Sequence, residues 1–323
     1  MNGVKLIACA TTASCTAVIA GAGVAEAHSG ASVAPGDALT AWTFDPLTLA
    51  PLAGAAFFYA RGAVRVWARA GPGRGVSYVQ ALAFAGGMLA LVLALLSPVD
   101  ALASELFAAH MTQHLLLMLV AAPLLVLGAP SVAFSWGISP EARSGLRDLQ
   151  RAPVVRACGR ALSSPAAIWL IFALALWAWH APPLYDAALR HPLVHALEHA
   201  SFLGASMLFW WLLVERAGWR RFEYGAAAMF VFLAMLQTSI LAALLTFSGH
   251  SWYAAYGGGR PEWHLTALED QQLAGLLMWI PSNVIYLAAV LTLIGRWLQR
   301  DEQNARARWW ARAPEAHGLE QHA

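Results

Sequence analysis

Seven stretches of mostly apolar residues, separated by short polar segments, dominate the chain: 47–67, 78–97, 106–127, 166–180, 192–214, 225–247 and 271–295. Runs of about twenty residues cross roughly 30 Å of hydrocarbon as helices. Lipid offers no partner to a free backbone N–H or C=O, and no run alternates apolar and polar positions as a barrel strand does. Each is therefore predicted to be α-helical. The fourth run is short unless it begins near Ser163, and Pro123 and Pro281 are expected to kink their helices. The pattern predicts an all-α membrane protein, a bundle of about seven transmembrane helices over 47–298.

The polar connections orient the bundle. Alternate connections collect Arg61, Arg65, Arg69 and Arg74, then Arg143, Arg147, Arg151, Arg156 and Arg160, then Arg216, Arg220 and Arg221. After the seventh run come Arg296, Arg300, Arg306, Arg308 and Arg312, whereas the opposite connections hold Arg190 and Arg260. Seventeen against two is the bias of cytoplasmic loops. It predicts an outside N-terminus and an inside C-terminus in a bacterial inner (plasma) membrane. The segment 141–160 reads as a surface amphipathic helix drawn to anionic lipid.

The ends are not spans. Residues 1–27 read as a secretory signal peptide, with Lys5 at its start and Ala25-Glu26-Ala27 as the cleavage site. Residues 28–46 then form a periplasmic N-terminal segment. The polar, Arg-rich residues 299–323 are expected to be a disordered cytoplasmic tail.

Composition agrees and excludes several functions. Hydrophobic residues make up 59% and charged residues 12%, half the charge usual in soluble domains. No basic tract carries interleaved aromatics, so nucleic acid is not a partner, and no phosphate-binding glycine loop marks an ATP-driven pump. Of three cysteines, Cys9 and Cys15 lie in the expected leader, leaving Cys158. Any metal site is thus built without a thiolate pair.

Histidine is the polar residue whose placement is uneven. Nine of eleven fall at the outer end: His28, His110, His114, His180, His191, His195, His199, His250 and His264, with His317 and His322 incidental in the tail. Two pairs stand out, HMTQH (His110–His114) and HALEH (His195–His199). Residues four apart share a helix face with Cβ atoms about 5–6 Å apart, so each pair can offer two nitrogens to one ion. The bland alternative is imidazoles packed at the membrane interface. Candidate ligands are His110, His114, His195 and His199, with Glu198 and Met111 adjacent and His180 and His191 nearby. Gln113, Glu269 and Asp270 are candidates for orienting them. Imidazole suits zinc, copper, iron and nickel, and a thioether shifts preference toward Cu(I).

Four runs resemble a known family. HMTQHLLLMLVAAPLLVLGAP (110–130), HAPPLYDAALRHPLVHALEHASFL (180–203), LAALLTFS (241–248) and LEDQQLAGLLMWIP (268–281) are similar to the CtaG family of cytochrome c oxidase assembly factors. This is the multi-spanning kind associated with caa3-type oxidases, and the resemblance covers roughly residues 42–298. It implies a non-enzymatic protein needed to form an active haem–copper oxidase. Its partners would be oxidase subunits, the lipid bilayer and, for copper, a periplasmic donor. By position the family's motif residues are His110, His114, His180, His191, His195 and His199, with Glu269, Asp270 and Gln271.

Three rivals stay open. A scaffold would bind oxidase subunits and no metal. A membrane cytochrome would hold haem between histidines of the third and fifth spans. A metallohydrolase would use HALEH as the inverted zinc signature, with Glu198 as base.

Overall fold

The computed structural model describes residues 34–161, 164–216, 222–258 and 261–319. The expected leader over 1–27, His28 and His322 lie outside them. Among the described residues every regular element is helical. Six helices are long and apolar enough to cross a membrane, and a bent pair makes a seventh span.

In chain order, α1 is Pro46–Ala70 and α2 Tyr78–Leu95, followed by the short α3, Pro98–Ala103. The third span joins α4, Phe107–Leu115, through a π-helical segment, Leu116–Ala121, to α5, Ala122–Leu127. Next come α6, Pro130–Gly137, and the polar pair α7, Pro140–Arg151, and α8, Pro153–Ala161. The fourth span is α9, Pro165–Trp179, bent by 74° into α10, Pro182–Arg190. Finally α11 is Pro192–Arg216, α12 Tyr224–Thr246 and α13 Ala267–Leu319.

Local chemistry sets these boundaries. Ser77 and Gln80 form a reciprocal capping box at the start of α2. Pro182 and Pro183 hold Ala181 in an extended conformation (φ −69°, ψ 127°), because a residue before proline is pushed out of the helical region. The fourth span therefore breaks at His180, a buried residue. Pro153 likewise divides the expected 141–160 helix into α7 and α8. Proline at 123 leaves the ladder one N–H short, and the third span accommodates it by widening into the π segment, a feature often found at functional sites. The Trp210 indole donates to the Met118 carbonyl there at 3.0 Å.

The third span and α11 are the inner helices: 61% and 72% of their apolar windows are buried, against 22% for α1 and 28% for α2. The outward faces of α1, α2, α9, α12 and α13 expose large apolar side chains, Leu82, Leu174 and Ile280 among them, as lipid-facing surfaces do. The peripheral α1 packs closely on α6, where a Cβ on Gly62 would overlap the Ala133 carbonyl. The longest pairing runs between α12 and α13.

The tail differs from expectation. The helix that carries the seventh span continues through Leu319. Within residues 301–309, DEQNARARW, the Glu, Gln, Ala and Arg residues are good helix formers, and Arg306 pairs with Glu302 one turn away.

A buried imidazole–carboxylate cluster

α4 and α11 both enter from the same end of the bundle, and each presents its histidines in its first turns. Both pairs turn inward. His110 is fully buried, and His114, His195 and His199 expose 3–9% of their surface. The Nε2 atoms of His110 and His114 lie 3.0 Å apart. The His195 ring sits 5.3 Å from that of His110, and the His199 ring 5.3 Å from that of His114. Glu198, between the histidines of α11, is completely buried. One carboxylate oxygen is 3.7 Å from His110 Nε2 and the other 3.7 Å from His114 Nε2.

Two overlapping triads result, His110–His195–His199 and His110–His114–Glu198, each with donor atoms within 4.8 Å of one another. Imidazoles that share an ion bind it at about 2.0–2.1 Å, which requires donor separations near those seen. The carboxylate decides the fit. Neither Glu198 oxygen has a hydrogen-bond partner, and both are sealed from solvent. A buried charge is stable only when paired or coordinated, and the groups facing it are imidazoles whose lone pairs can converge with it on a cation. The donor set suits a divalent or monovalent transition metal held by nitrogen and oxygen.

Asp270, from the start of α13, holds the arrangement in place. Its two carboxylate oxygens accept the backbone N–H groups of Phe107 (2.7 Å) and Ala108 (3.0 Å). Those are otherwise unsatisfied donors of the first turn of α4, three and two residues before His110. Two tyrosines that the sequence did not single out pack against His110. Tyr256 lies with its hydroxyl 3.4 Å from His110 Nδ1 and donates to the Ala103 carbonyl at 2.8 Å. Tyr185 lies with its ring 5.1 Å from that of His110.

The remaining candidates go elsewhere. His191 is exposed at the start of α11, where its carbonyl accepts from His195 N–H, so it is not brought to the cluster. His180 and Met111 are buried but face a separate cavity described below. Gln113 points to the other side of α4 and donates to Ala94 O and Asp100 Oδ1, both at 2.8 Å. Glu269 is spent on capping α13, accepting from the Thr266 N–H and hydroxyl. Of the three expected orienting residues, Asp270 caps the start of α4, Gln113 ties the far side of α4 to its neighbours, and Glu269 reaches neither histidine helix. Gln271 pins the loop between α12 and α13, accepting from Trp252 N–H and donating toward Leu245 O and His250 O.

Residues 57–300, which include the cluster, match the family described as cytochrome c oxidase caa3 assembly factor (Caa3_CtaG). The chain belongs to that family. Uncharacterized proteins of Mycobacterium bovis and Mycobacterium tuberculosis are each 27% identical over 276 residues, and one of Mycobacterium leprae is 27% identical over 275. The alignments cover 82–83% of this chain and 41% of each relative, so the chain spans about two fifths of those proteins' length. No solved structure matches. Six of its helices, or seven spans with the bent pair, are long and apolar enough for a multi-pass membrane protein.

Proposed function

We propose that the chain acts as an assembly factor for a cytochrome c oxidase, binding copper at the imidazole–carboxylate cluster and passing it on at the periplasmic face. The observation that carries the reading is the buried Glu198 carboxylate, without a hydrogen bond and faced by the Nε2 atoms of His110 and His114. The ligands would be His110, His114, His195, His199 and Glu198, with Asp270 and Tyr256 steadying them. Bound copper would supply the metal for an oxidase subunit. The chain's own work is to hold the ion away from water and release it by exchange of imidazole ligands. A periplasmic donor and the oxidase subunits are the partners this requires.

Purified protein should bind Cu(I) tightly, and a variant with His110, His114, His195 and His199 all changed to alanine should lose it. Metal analysis and competition with a chromophoric Cu(I) chelator read the result. A folded variant that keeps wild-type copper, or wild-type protein that takes none while oxidase assembly proceeds, sinks the proposal in favour of a metal-free scaffold. A hydrolase would need a water path to Glu198, which is sealed.

The periplasmic assignment rests on the arginine asymmetry and is also proposed. In a Cys158→Ser background, Ser251→Cys should react with an impermeant maleimide in intact spheroplasts. Asp301→Cys should react only after lysis. The reverse pattern would place the cluster on the cytoplasmic side.

A further inference from the structure

Below the cluster, toward the middle of the bundle, lies an interior cavity between the third span, α9, α12 and α13. Its wall includes Met111, Met118, Met278, His114 and His180. Three of the chain's eight methionines thus converge on one space of about 20 Å³, enough for a single water or ion. The depth follows from helix geometry: Met118 is eight residues beyond His110, about 12 Å along the axis at 1.5 Å per residue.

Two imidazoles border the cavity with a nitrogen unaccounted for. His180 lies 2.7 Å through Nδ1 from the Leu176 carbonyl. A carbonyl only accepts, so Nδ1 carries the proton and Nε2 a free lone pair. That Nε2 is shielded from solvent and has no partner, on a residue only 5% exposed. His114 Nδ1 is likewise buried without a partner, while its Nε2 faces His110 and Glu198. One imidazole therefore forms the wall between two chambers. The break at Ala181–Pro182 is what leaves His180 at this depth, since it ends α9 below the surface.

We propose that this chamber is a second cation site, selective for Cu(I), with Met111, Met118, Met278 and His180 as donors and the His114 ring, which binds through one nitrogen at a time, between it and the outer cluster. Three thioethers and a neutral imidazole carry no charge and are soft, a set that favours monovalent copper over zinc or Cu(II). The outer cluster, with its carboxylate and nitrogens, is harder. The proposal rests on copper being the metal that the outer cluster takes. It adds a retention site that an ion reaches through His114 by ligand exchange, with no change of oxidation state.

The test is anaerobic Cu(I) titration of the full chain in detergent, with copper X-ray absorption to detect sulfur ligands. The informative variant is Met118→Leu with Met278→Leu, which keeps core volume. Wild type should bind two equivalents with a sulfur contribution. The variant should bind one, lose the sulfur signal and keep its apo melting temperature. A single sulfur-free equivalent in both proteins would overturn the chamber while leaving the outer site intact. A His195→Ala, His199→Ala, Glu198→Gln variant should keep the one sulfur-bound copper, and if wild type itself holds only that sulfur-bound equivalent, the chamber stands and the outer cluster is overturned. No copper in any of them overturns both.

Discussion

Exchanging Glu198 for glutamine is expected to weaken copper binding by about 10–100-fold, the range seen when a group supporting a metal site is lost, while leaving the apo protein no less stable. The two halves have one cause. Glu198 is fully buried, its oxygens lack hydrogen bonds, and its nearest groups are the Nε2 atoms of His110 and His114. Without metal, a buried carboxylate is an electrostatic burden that an amide of the same shape relieves, and removing such charges is often neutral or stabilising. With metal, the negative charge holds the ion. Melting temperatures with and without Cu(I), beside a chelator competition, separate the effects. A residue kept for packing alone would lose stability in both states and leave affinity unchanged, and that outcome would sink the ligand role.

The second large effect is predicted at Asp270. Changing it to alanine leaves Phe107 N–H and Ala108 N–H buried without acceptors, and each such donor costs about 1–3 kcal/mol. The first turn of α4 should fray, with His110 one turn further on. The variant should melt several degrees lower, exchange the amides of 107–108 faster, and bind copper more weakly though every ligand remains. Asp270→Asn keeps one oxygen acceptor and should fall between. If Asp270→Ala binds copper as wild type does, the cap is irrelevant to the site. Thermal unfolding and hydrogen exchange on the metal-free protein report the cap independently of copper.

Much of this was legible in the chain because the membrane imposes it. Six of the seven apolar runs begin and end as helices within a few residues of the expected places, and the seventh begins so but continues into the tail. The histidine pairs were legible because four-residue spacing puts both rings on one face, and because α4 and α11 start at the same end. What could not be read depends on tertiary pairing. Asp270 and Glu269 are adjacent acidic residues at a helix start, and only the position of α4 makes one a cap for another helix. Gln113 sits beside His114 in sequence, but successive residues point about 100° apart on a helix, and it faces Ala94 and Asp100. Met118 and Met278 look like ordinary core residues until His180 is seen to end its helix beside them. The tail misled because polarity was taken for disorder, whereas its Glu, Gln, Ala and Arg residues can continue a helix already nucleated.

The cap from Asp270 also sets an order of events during synthesis. His110, His114, His195, Glu198 and His199 are all made before the last span, yet the carboxylate that anchors the first turn of α4 comes 71 positions after His199. Until α13 is inserted and packed, the first ligand pair starts from an unanchored helix end. On the copper-binding reading proposed above, a nascent chain would therefore capture metal poorly while exposed to the insertion machinery. Competence would arrive with the final helix, in molecules whose membrane domain is complete.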